Sequence, residues 1–203
     1  MNHTVILASG NKNKLRELNA MLAVFNCLCE SQDHHNVPEV PEDGLSFVEN
    51  ALIKARNACR HTGLPSIADD SGLEVKSLNG QPGIYSARYA GVNATDTDNV
   101  TKLLYELGQK PDLNRSARFV CALVFMRHEL DPVPEICVGT WQGYILDKPR
   151  GENGFGYDPV FCYGEDGKSA AELMPDEKNK MSHRAIAMTA LAERLSTIDI
   201  FTT

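Results

Sequence analysis

Residues 4–8 (TVILA) form an apolar run that predicts a buried strand, and residues 9–11 a turn. From residue 12 to 25, Leu15, Leu18, Leu22 and Phe25 recur at spacings of three and four, which places them on one face of a helix. The periodicity then stops. Residues 30–44 are polar with two prolines and read as a long loop with little regular structure. Ser46 and Glu49 have the spacing of a capping box, starting a helix to about His61. That helix should bury Val48, Ala51, Leu52, Ala55 and Cys59 and leave Glu49, Asn50, Lys54 and Asn57 together on another face. A short strand at 66–68, an acidic turn at 69–72 and a strand at 73–75 follow. Asp98 is placed to cap a helix carrying Val100, Leu103, Leu104 and Leu107 and ended by Gly108. Residues 117–127 are apolar on both faces, as in a central strand, and 135–146 read as a second long strand. The short connection between them predicts antiparallel neighbours, and a last helix spans about 182–196. The pattern as a whole predicts an α/β fold, a mixed sheet with helices on its faces.

The chain has 203 residues, enough for one large domain or one domain with two lobes, and no repeat or long linker divides it. Its net charge of −7 excludes the broad positive field of a non-specific nucleic-acid binder, but not a local basic pocket for a small anion. No apolar run approaches the roughly 18 residues of a membrane span. The start lacks the charged region and cleavage site of a secretory signal, so a cytoplasmic protein with six reduced, semi-buried cysteines is expected. A zinc site from Cys27, Cys29, Cys59 and His61 has poor ligand spacing, and the adjacent His34 and His35 point in different directions.

Four segments carry candidate chemistry. Ser9, Gly10, Asn11, Lys12, Asn13 and Lys14 lead from a strand into a helix N-terminus, where free amides and lysines favour an anion. The same run also reads as a plain turn with solvated lysines, and it is not a Walker loop. Asp69 and Asp70, followed by Ser71, put two carboxylates side by side, an arrangement relieved by a cation such as magnesium. Asp-Ser-Gly is equally an ordinary turn composition. In residues 151–159 three glycines allow close backbone approach, Phe155 or Tyr157 can stack on a planar base, and Asp158 can orient its polar edge. A hydrophobic turn capping the core is the alternative. His183 and Arg184 follow Ser182 at a helix start, and Lys178 and Lys180 upstream strengthen the case for an anion pocket.

Six motifs, SGNKNK, FVENALIKA, ADDSGLEV, GQPGIYSARYAG, GFGYDPVF and SHRAIA, occur in one order. In this combination the chain resembles the inosine triphosphate pyrophosphatase family, also called the Ham1 family, from residue 4 to about 195. The resemblance implies a single two-lobed domain built on an elongated mixed sheet, with the active site in the cleft between the lobes. It also implies a homodimer, dependence on Mg2+, and hydrolysis of ITP, dITP and XTP to the nucleoside monophosphate and pyrophosphate. Such an enzyme keeps deaminated purines out of DNA and RNA. Matched by motif, Asp70 is the proton acceptor and a metal-site carboxylate, and Glu42 is the other metal-site carboxylate. Ser9, Gly10, Asn11, Lys12, Asn13, Lys14, Lys54, Ser71, Phe155, Gly156, Tyr157, Asp158, Lys178, His183 and Arg184 match nucleotide-binding positions. On this view Lys12, Lys14, Lys54 and Lys178 neutralise the leaving pyrophosphate, Phe155 stacks on the base, and His183 and Arg184 donate to its 6-keto oxygen. Two rivals remain. A non-catalytic nucleotide sensor would not need Asp70 and Glu42, and an RNA-binding module sits poorly with the negative charge.

Overall fold

In the computed structural model, which describes residues 3–109, 114–164 and 167–197, the first apolar run forms strand β1, His3–Leu7. Val5, Ile6 and Leu7 are buried in succession, so both faces of the strand are covered. β1 pairs in parallel with β2 (Cys27–Ser31) and with β3 (Ser66–Val75). β2 and a 3₁₀ turn at Gln32–His35 occupy chain that the polar pattern assigned in part to a loop. The order β2-β1-β3-β4-β5-β6-β7 leaves β2 with one strand neighbour. Asn19 of helix α1 (Lys12–Leu22) supplies the missing partner: its amide accepts from Cys29 N at 2.9 Å and donates to Cys29 O at 3.0 Å.

Helix α2 (Phe47–Thr62) starts as the sequence predicts, with Ser46 Oγ accepting from Glu49 N. The return half of the box differs. Glu49 accepts from Leu45 N and Ser46 Oγ, both at 2.8 Å, one residue further back than a reciprocal box requires. Ala51, Ala55 and Ala58 form its fully buried stripe, and such small side chains let the helix close on Ile6, Ala68, Val124 and Met126. Val48 and Leu52 are only half-buried, while Phe47 and Asn50 are buried instead. Gly63 ends the helix at φ 69°, its N–H on Cys59 O.

β3 is continuous, so the acidic turn expected at 69–72 is strand. Thr95, not Asp98, caps helix α3 (Asp96–Gly108), and Asp98 closes a reciprocal capping box on Thr95 N. Gly108 lies inside the last turn. β4 (Ser116–Met126) is the central strand, and its last eight residues are all buried. β5 (Glu135–Ile145) adjoins it, followed by β6 (Phe161–Tyr163) and β7 (Lys168–Ser169), each antiparallel to its predecessor. A short helix α4 (Pro175–Met181), absent from the sequence expectation, precedes α5 (His183–Leu195), where Ser182 Oγ accepts from Ala185 N as expected of a cap.

The described chain divides into two units. The first takes residues up to 70, 122–138 and from 187, and its core is α2 against β1, β3 and β4. The second takes 71–121 and 139–186, and centres on Leu103 and Leu107 of α3 with Leu73, Phe119, Trp141 and Phe161.

Candidate active site

In the first unit, the turn between β1 and α1 is organised by its own side chains. Asn11 caps α1, its Oδ1 accepting from Asn13 N at 2.9 Å and Lys14 N at 3.1 Å, while Ser9 Oγ accepts from Asn11 N. Three of the amides expected to be free for an anion, those of Asn11, Asn13 and Lys14, are therefore engaged. A Cβ on Gly10 would lie 2.6 Å from Asp33 Oδ2, the end of an exposed side chain that can swing aside. Lys14 ion-pairs with buried Asp69 at 2.7 Å, whereas Asn11, Lys12 and Asn13 are exposed. Ser9, Gly10, Lys14, Glu42, Lys54 and Asp69 line one cavity of about 260 Å³. Gln32, Glu39 and Asn57 also line it, and of these only Asn57 was marked by helical spacing, on the Lys54 face.

Lys54 joins the acids. Its Nζ lies 3.1 Å from Glu42 Oε1 and 3.3 Å from Asp70 Oδ1. Burial opposes its charge, but Asp70, Asp69 and Glu42 outweigh that and raise its pKa above the usual lysine value. Burial raises the Asp70 pKa above the usual carboxylate value and Glu42 adds to the shift, while Lys54 and a hydrogen bond from Asn50 pull the other way. Asp70 is thus an ionisable group with a strengthened proton affinity, held beside a lysine that keeps its charge. Among the described residues no three His, Cys, Asp or Glu side chains are gathered as a metal-binding group. The zinc set is not assembled: the Cys59 thiol contacts Ser66 Oγ and Met126 O, and the His61 ring contacts Asn57 O. His35 pairs with Glu30.

In the second unit, Ser71 is a half-buried strand residue of β3. The glycine-rich loop is built around Asp158, which is 2% exposed. Asp158 Oδ2 accepts from Phe155 N at 2.9 Å and from Lys178 Nζ. Gly154 has φ 79°, and a Cβ on it would lie 2.1 Å from that same oxygen. Gly156 N donates to Asp96 Oδ2 at 2.7 Å, a tie to α3 that no local pattern announced. The two aromatics separate. Phe155 is 55% exposed, with Lys178 Nζ 4.9 Å and Arg184 Cζ 6.0 Å from its ring centroid. Tyr157 is a core residue whose hydroxyl donates to Ser86 O, so it is not available to stack on a base. His183 is buried, its ring stacked on Phe119 at 4.8 Å. In the GQPGIYSARYAG motif, where Gly83–Arg88 form a 3₁₀ helix, Ser86 Oγ accepts from Leu73 N and donates to Gly83 O.

A mixed seven-stranded α/β sheet and, in the first unit, a polar cavity where one lysine joins two carboxylates define a class suited to small anionic ligands, while the second unit by itself presents an exposed aromatic flanked by cations. The Ham1 family profile matches residues 5–194, and the chain belongs to that family. A relative from Vibrio parahaemolyticus named dITP/XTP pyrophosphatase is 53% identical over 192 residues, 95% of this chain and 96% of its own length. One of the same name from Idiomarina loihiensis is 52% identical, over 96% of this chain and 98% of its own. The structure of a HAM1 protein from Coxiella burnetii superposes with a TM-score of 0.93 at 46% identity, over 97% of this chain and 100% of that one. The Staphylococcus aureus Ham1 protein gives 0.87 at 38% identity, over 95% and 98%.

Proposed function

We propose that this chain hydrolyses non-canonical purine nucleoside triphosphates, ITP, dITP and XTP, to the monophosphate and pyrophosphate. The observation that carries the reading is Lys54 bridging Glu42 and Asp70 on a cavity that also holds Lys14, in a chain whose relatives bear that activity in their name. Water attacks the α-phosphorus, the bond to the α–β bridging oxygen breaks, and pyrophosphate leaves. Asp70, with its raised proton affinity, takes the proton the water loses. Lys14 and Lys54 face the phosphates and oppose the charge that grows on the leaving group.

Glu42 and Asp70 fit a divalent metal, taken here as Mg2+. Two carboxylates within reach of one ammonium are the oxygen donors such an ion accepts when substrate phosphates and water complete its shell. When bound, the ion would neutralise phosphate oxygens and acidify the attacking water. The same proposal takes Phe155 as the stacking surface for the base and His183 and Arg184 as donors to its 6-keto oxygen. A homodimer in the cytoplasm is part of the same proposal. Among the described residues no helix is long and apolar enough to cross a membrane. A nucleotide sensor has no use for a proton acceptor held against the lysine of the phosphate cavity, so the rival reading is not favoured. Incubation with ITP and magnesium decides. Pyrophosphate with IMP supports the proposal, single phosphate points to another phosphohydrolase, and binding without turnover to a sensor.

A further inference from the structure

Helix α2 presents two polar side chains one turn apart. Lys54 is one; the other, Asn50, is fully buried. An amide at that depth must have its polar atoms matched. Its Oδ1 accepts from Gly44 N at 2.9 Å, and its Nδ2 donates to Asp70 Oδ2 at 3.1 Å. The first bond dictates the second. A backbone N–H only donates, so the amide oxygen must face Gly44 and the NH2 must face the carboxylate. Lys54 holds the other Asp70 oxygen, so both oxygens are fixed from one helix face. Gly44 stands two residues after Glu42, and a Cβ there would lie 2.8 Å from Asn50 Oδ1. One side chain therefore grips both the proton acceptor and the backbone that carries the second acid.

We propose that Asn50 is a positioning residue that locks the Asp70 carboxylate to the segment bearing Glu42. The inference deepens the pyrophosphatase reading and rests on it. Asn50 touches no substrate and acts through the two acids. Asn50→Leu keeps the approximate shape while removing donor and acceptor, and Asn50→Ser is the smaller replacement should leucine prevent folding. With ITP and magnesium, kcat should fall about 10–100-fold, the usual loss when a residue orienting a metal-site carboxylate is removed, with KM little changed. In Asn50→Leu/Asp70→Asn the losses should not multiply: the double variant should be about as slow as Asp70→Asn alone. Losses that multiply, or a KM rise at unchanged kcat, overturn the proposal. Hydrogen exchange at the Gly44 amide tests the tie without turnover. It should be slow in the wild type and fast in either Asn50 variant, and fast exchange in the wild type overturns the proposal. A wild type that releases no pyrophosphate from ITP refutes the activity reading instead, and Gly44 exchange then decides the Asn50 tie by itself.

Discussion

Asp70→Asn separates chemistry from architecture, and the geometry sets both magnitudes. Asp70 accepts from Asn50 Nδ2 at one oxygen and from Lys54 Nζ at the other. An asparagine must turn its own NH2 toward one of those donors, so one contact becomes donor against donor. A mismatched buried polar pair costs about 1–3 kcal/mol. Two effects keep the loss at the low end. Glu42 still faces Lys54 at 3.1 Å, so the lysine is not stranded, and the variant no longer holds a partly desolvated charge. A net loss of about 1–2 kcal/mol lowers Tm by roughly 2–8 °C in a domain of this size. Losing the proton acceptor should lower kcat by about 10²–10⁴-fold. The assay is kcat for ITP at saturating magnesium beside a thermal melt. Near-wild-type turnover removes Asp70 from the mechanism, and a collapse of the melt makes its role structural.

Gly154→Ala should raise KM for ITP and lower Tm, because the methyl must displace Asp158 from Phe155 N and Lys178 on top of an unfavourable φ. Gly156→Ala, with nothing within 4 Å, pays only the conformational cost of about 1–2 kcal/mol, and equal effects in the two would refute this. Asp131 accepts from Arg127 N, Arg127 Nε, Arg127 Nη2 and Val133 N, and these hold its pKa well below the usual carboxylate value. A depressed pKa gives stability that is present above the unfolded value of 3.8 and is lost as pH falls through the folded one. Asp131→Asn should therefore lower stability at pH 7 by about 1–3 kcal/mol, read as a lower Tm, and flatten the acid limb of a Tm–pH series. Arg184→Ala should raise the use of ATP relative to ITP, read as the ratio of kcat/KM values. An unchanged ratio places 6-keto recognition elsewhere.

The central strands and α2 were legible because their patterns are local: β4 is apolar at nearly every position, and α2 has a cap and a stripe of alanines. β2 was not, because CLCES carries little periodicity and its partners, β1 and Asn19, are remote in sequence. The acidic segment of β3 misled for a related reason. Asp-Asp-Ser-Gly has the composition of a turn, and what makes it strand is the lysine opposite each carboxylate, Lys14 for Asp69 and Lys54 for Asp70. Those partners lie 55 and 16 residues away. Tyr157 shows the same limit from the other side, since a loop aromatic reveals its burial only through the Ser86 carbonyl it reaches.

The pairing of lysines with acids also changes what the cavity asks of a ligand. Read from sequence, the lysines were free charge awaiting phosphate. In the structure two lysines, Lys14 and Lys54, line the cavity with three carboxylates, Glu39, Glu42 and Asp69, and Asp70 stands against Lys54. The balance is negative before any nucleotide arrives, so a triphosphate entering alone would meet repulsion as well as attraction. The same acids become an asset once a divalent cation travels with the phosphates, because the ion's charge offsets both sets of oxygens. Affinity itself, and not only turnover, should then depend on the metal. ITP binding to Asp70→Asn, measured by titration calorimetry, should weaken strongly in excess chelator but less than in the wild type, since the variant has one carboxylate fewer. Equal affinity for ITP with and without magnesium in both proteins would show that the lysines suffice, and that Glu42 and Asp70 are not arranged for a cation.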